Sequence, residues 1–177
     1  MTIFETFNFQ HVTILACQSK NGVRVGLETH GDFARGQAAA EIVRLANHPK
    51  VALIWDVANS LAAGDSIEES APEVGPYLAH VHLRDARPIK GHEHWLPVLA
   101  GHGAVSFTAA VNALRGLGYD GYISFEWEKY WHPEIEEPEV ALPDFSKAMK
   151  AIFQSYGSVN TEQVSTSSLE TVENPYR

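Results

Sequence analysis

The chain has 177 residues, 45% hydrophobic and 20% charged, the composition of a folded globular protein rather than of a disordered or membrane-spanning one. Its net charge of −9 repels a phosphate backbone and no basic patch overrides it, so no nucleic-acid partner is expected. No apolar run reaches the roughly 18 residues of a membrane span, the start lacks a signal-peptide pattern, and the single Cys17 has no partner for a disulfide; a cytoplasmic location without membrane contact follows as the expectation.

Residues 4–21 are apolar enough for a helix, with Asn21-Gly22 as its stop. A strand follows over 23–28, and Thr29-His-Gly-Asp-Phe33 reads as a polar loop. The pattern predicts a helix from about Gln37 to Ala46, broken by His48-Pro49 before a second strand over 51–56. Residues 57–65 read as a loop, and Ser66 with Glu69 forms a capping box for a short helix that cannot run far past Pro72. A third strand over 78–84 leads into a long loop punctuated by Pro88, Gly91, Pro97, Gly101 and Gly103. Ser106 caps a helix whose apolar stripe is Phe107, Ala110, Val111, Leu114 and Leu117, and Gly118 closes it. After a fourth strand over 122–126 comes a proline-broken acidic loop, 131–143, then a last helix over 144–156. Polar residues dominate from Gly157, so the chain divides into a domain over 1–156 and a disordered tail over 157–177.

Strand and helix alternate, which predicts an α/β fold with parallel strands and outer helices. Strand parity then separates two faces. Val25, Leu27, Leu53, Trp55, Val81, Leu83, Ile123 and Phe125 fall on one, and Glu28, Asp56, His80, His82, Arg84 and Glu126 on the other. A sheet with one polar face suits a (β/α) TIM-barrel type, whose active site lies at the C-terminal strand ends. About four β/α units are present where a whole barrel has eight, so the expectation is a half-barrel. Three carboxylates and one imidazole at those ends make a site for a divalent metal ion, and Mn, Mg, Co and Zn all suit the donors.

The stretches Gly26-Leu-Glu-Thr-His-Gly-Asp32, Leu53-Ile-Trp-Asp-Val57, His80-Val-His-Leu-Arg-Asp85 and Gly118-Tyr-Asp-Gly-Tyr-Ile-Ser-Phe-Glu-Trp-Glu-Lys129 carry a resemblance. Together with Trp131-His-Pro133 they resemble the C-terminal half of the xylose isomerase-like TIM barrel family, the sugar phosphate isomerases and epimerases. The resemblance implies Glu28, Asp56, His82 and Glu126 as metal ligands, with Glu28 and Glu126 as the catalytic carboxylates that move a proton beside a carbonyl. It also makes Asn59 a substrate-contact position, and His30 and Arg87, which sit beside ligand positions, could touch substrate oxygens or a phosphate. Asn59 stands where the family usually has histidine, and asparagine donates a hydrogen bond but does not titrate near neutral pH.

The implied activity is a metal-dependent isomerase or epimerase of a small sugar, sugar phosphate or related ketone through an enediolate-type proton transfer. The alternatives are an inosose dehydratase-like lyase of the same fold and a half-barrel that binds metal or a partner without turnover. A nuclease of this superfamily would need a basic groove that the charge argues against. Self-association, or pairing with a separately encoded N-terminal half, is expected of half a barrel. Among other histidines, His80 reads as a hydrogen-bonded inner-face residue, and His92, His94 and His102 as loop residues. The acidic run 134–139 reads as solvated surface, and Trp127 and Trp131 as packing or pocket wall.

Overall fold

Four parallel strands, neighbours in chain order, form one sheet, and a separate antiparallel pair of strands accompanies it. A computed structural model describes residues 24–92 and 94–159, so the expected helix over 4–21, its stop at Asn21-Gly22 and the tail beyond 159 lie outside the described residues. The sheet is built from β1 (Val25–Glu28), β2 (Val51–Asp56), β3 (Leu78–Leu83) and β6 (Ile123–Phe125). The parallel register sets Glu28 beside Ile54, Asp56 beside His82, and His82 beside Ser124, so the polar strand ends are brought level. This is a sheet of barrel type that is incomplete, with β1 and β6 as its edges among the described residues.

Helices cover the apolar face. They are α1 (Gly36–Ala46), α2 (Val57–Ala62), α3 (Ile67–Val74), α4 (Phe107–Gly116) and α5 (Pro138–Val159). Leu53, Trp55, Val81 and Leu83 are fully buried there against Ala39 and Val43 of α1, Val74 of α3, Ala110 and Leu114 of α4, and Met149 of α5. Burying one such side chain contributes about 1.5–3 kcal/mol, which is why alternation along these short strands decides the face. On the other face, a Cβ at Gly26 would lie 2.7 Å from Ile54 Cγ1, so glycine leaves room for the inward isoleucine.

Three local expectations are corrected. Residues 57–65 are not all loop: α2 forms because the Asp56 side chain accepts from Asn59 N–H as its N-cap, and Val57 and Ala58 are buried. The long loop after β3 contains β4 (Asp85–Pro88) paired with β5 (Trp95–Val98), and Pro88 and Pro97 are accommodated because each strand has only one partner among the described residues. The last helix begins at Pro138 rather than Asp144. Pro138 occupies a first-turn position where its missing N–H costs nothing, and Pro143 removes one bond without ending a helix that buries Ala141 and Met149. That helix also carries three residues assigned to the tail, 157–159. The capping box of Ser66 and Glu69 is present, as is the cap by Ser106.

Candidate metal centre

Glu28 ends β1, Asp56 ends β2, His82 lies near the end of β3, and Glu126 directly follows β6. Each offers one donor atom, and all four donors lie within 4.8 Å of one another. His82 Nδ1 is 3.1 Å from Glu28 Oε1 and 3.7 Å from Glu126 Oε2. Bonds of about 2.2 Å to one ion would hold two donors at most about 4.4 Å apart. The cluster is therefore within a small side-chain rotation of that size, and its oxygen-rich donor set fits a divalent ion.

Asp56 is held more tightly than the rest. Its Oδ1 accepts from Asn59 N–H at 2.8 Å. Its main-chain N–H donates to Thr29 Oγ1 at 2.8 Å, and Thr29 Oγ1 donates back to Asp56 O at 3.1 Å. Behind it Trp55 Nε1–H donates to Ser60 Oγ at 3.2 Å, and Ser60 Oγ donates to Ala34 O at 2.9 Å. Thr29 and Ser60 escape a reading by parity because their partners lie 27 and 26 residues away.

Arg84 is the other resident of the centre. It is 4% exposed, and its Nη1 donates to both Asp56 Oδ2 and Glu126 Oε2. Nη2 donates to Asn59 Oδ1 at 3.0 Å and lies 3.6 Å from Glu128 Oε2. Burial works against its charge, and Asp56, Glu128 and Glu126 together outweigh that, so the guanidinium stays charged. Burial, and next a hydrogen bond with Asp56, push the Glu126 carboxyl up to about 8 against the pull of Arg84. Arg84 Nε and Asn59 Nδ2 are buried without a partner among the described residues.

A cavity of about 910 Å³ opens beside this cluster, and Arg84 and Asn59 belong to its wall. His30, Trp95, Trp131 and His132 also line it, which places the expected contacts His30 and Asn59 there. Arg87 is not brought to it; it is exposed on β4, opposite Leu96. Strand parity puts Arg84 on the inner face without giving it a role, and the structure places it in the cavity wall. His80 Nε2 is 2.7 Å from Ser124 Oγ, the hydrogen-bonded inner-face position expected of it. His94 lines the cavity, whereas His92 and His102 are exposed in loops. Trp131 is both cavity wall and 74% exposed.

Comparison with known proteins gives the following. A family model described as xylose isomerase-like TIM barrel matches residues 12–151. An uncharacterized protein of Methanocaldococcus jannaschii is 29% identical over 113 residues, covering 59% of this chain and 37% of that protein. A crystal structure of a D-tagatose 3-epimerase-like protein superposes with a TM-score of 0.68 at 19% identity, covering 86% of this chain and 55% of that one. The IolI protein with a bound zinc atom superposes with a TM-score of 0.65 at 23% identity, covering 88% and 59%. The chain thus spans little more than half the length of these barrels and 37% of the curated relative.

Proposed function

Since the chain belongs to the xylose isomerase-like TIM barrel family, we propose that it contributes the metal centre of an isomerase or epimerase acting on a small sugar or related polyhydroxy ketone. The observation that carries this reading is the convergence of Glu28, Asp56, His82 and Glu126, from four adjacent strand ends, to within 4.8 Å. These four side chains would hold a divalent ion, and the chemistry it would supply is that of a Lewis acid, lowering the cost of the negative charge that develops on proton removal.

The side chains divide the remaining work. Asp56, fixed by its cap and by Thr29, and His82, between the two glutamates, set the position of the centre. Glu28 and Glu126 approach from the two outer strands, and in this reading they are the carboxylates that would take and return the proton. The cavity wall offers His30, His132 and Asn59 to substrate hydroxyls, and Trp95 and Trp131 as apolar surfaces.

The test is solvent deuterium exchange at the carbon beside the carbonyl, on a panel of ketoses, ketose phosphates and inososes, with added divalent metal and with chelator. Metal-dependent exchange on at least one compound is expected, and product analysis separates isomerisation from loss of water. Absence of exchange on every compound, with metal shown to be bound, overturns the reading.

A further inference from the structure

Arg84 and a divalent ion need the same oxygens. Asp56 has two, and Oδ1 is committed to the N-cap of α2, so only Oδ2 faces the centre. That oxygen and Glu126 Oε2 are the two that Arg84 Nη1 bonds. We propose that Arg84 is the resident counter-ion of the metal-free centre, and that a divalent ion binds only by displacing its guanidinium from Asp56 and Glu126. The inference rests on the metal centre proposed above and adds to it a residue that opposes loading.

Three observations support this. The guanidinium is buried and charged, and it joins two of the four donor residues, so the cluster it satisfies is the cluster the metal would use. A buried charge is retained where a carboxylate compensates it, and removal of the cation would leave the buried Asp56 carboxylate without its counter-charge. The pairing is also incomplete on the arginine's side. Nε has no partner among the described residues, so the present position is one the side chain can leave without losing a full set of bonds. Asn59 Oδ1 at 3.0 Å and Glu128 Oε2 at 3.6 Å remain available to Nη2. Arg84 also lines the cavity, where it is the only lysine or arginine among the described residues. Loading the centre and presenting a cation to the cavity are therefore coupled through one side chain.

A ligand that must first wait for a minor open state binds more weakly by the fraction of that state. With the open state at about a tenth or less of the population, Arg84→Gln should bind zinc at least about tenfold more tightly than the wild type. Calorimetric titration of zinc into wild type, Arg84→Gln and His82→Ala measures this. Unchanged or weaker binding in Arg84→Gln, with binding lost in His82→Ala, overturns the counter-ion inference and leaves the centre standing. Equal binding in wild type and His82→Ala overturns both.

The glutamine variant loses a buried cation and is at risk of not folding, so a second measurement uses the wild-type chain. The Arg84 Nε–H and His82 ring resonances are followed by NMR during zinc titration. Both should shift together and saturate at one equivalent. A His82 shift with Arg84 unmoved overturns the inference alone, and no shift in either overturns it together with the centre.

Discussion

Glu126 keeps its proton in the metal-free chain well above the usual carboxylate range, because burial and then the hydrogen bond with Asp56 favour the neutral form up to about pH 8. In the unfolded chain a glutamate ionises near about 4.3. A raised folded value means that this group's contribution to stability is complete below the unfolded value and is lost as pH rises through the folded one. In chelator, the melting temperature should therefore fall between about pH 5 and about pH 9, and Glu126→Gln, which mimics the neutral acid, should flatten that fall. An equally steep decline in the variant contradicts this assignment. His82→Ala tests the centre from its nitrogen side and should lower zinc affinity by about tenfold or more, as loss of a direct ligand requires. Equal zinc content in the two proteins after dialysis contradicts it.

The loop that follows β5 is organised by one carboxylate. Asp85 is 2% exposed and accepts from the N–H groups of Ala86, Gly101, Gly103 and Val105 at 2.8–3.1 Å. A Cβ on Gly103 would sit 2.2 Å from Asp85 Oδ1, so the close approach needs glycine there. Asp85→Asn replaces an acceptor by a donor in front of those amides and should cost on the order of 3 kcal/mol. Faster hydrogen exchange at Gly101, Gly103 and Val105 is the expected sign, and unchanged protection contradicts it. This clamp also shows where the sequence stops being legible. Alternation in Val51–Asp56 and Leu78–Leu83 is a local signal strong enough to assign the faces and to line up Glu28, Asp56, His82 and Glu126. The partners of Asp85 lie 16 to 20 residues away in the loop, those of Thr29 lie 27 away, and Arg84 meets Glu126 across 42 residues. No periodicity encodes such contacts. α2 is hidden for the same reason, since Val57 and Ala58 become helical through burial and through the cap by Asp56.

At the scale of the whole molecule, the sheet has β1 and β6 as edges among the described residues, and Tyr122, beside β6, is 86% exposed. Open parallel edges are templates for further strands, and closure into a barrel removes them. The chain spans little more than half of the barrels it superposes on. Taken as these 177 residues, the sheet should self-associate through those open edges; sedimentation that shows a monomer up to tens of micromolar, roughly, contradicts this. Among the described residues no helix is long and apolar enough to cross a membrane. Packing on the outer face sustains what is present: Leu53→Ala, in the fully buried layer, should cost about 2–5 kcal/mol and open the sheet from which three of the four donor residues project at their strand ends. The zinc and counter-ion expectations depend on one centre formed by four strand ends. Crystals soaked in zinc and measured at its absorption edge test it most directly. The account predicts one anomalous peak bonded to Glu28, Asp56, His82 and Glu126 at about 2.0–2.2 Å, with the Arg84 guanidinium moved off Asp56. Absence of a peak among those four side chains, or a peak elsewhere with Arg84 still on Asp56 and Glu126, would contradict it.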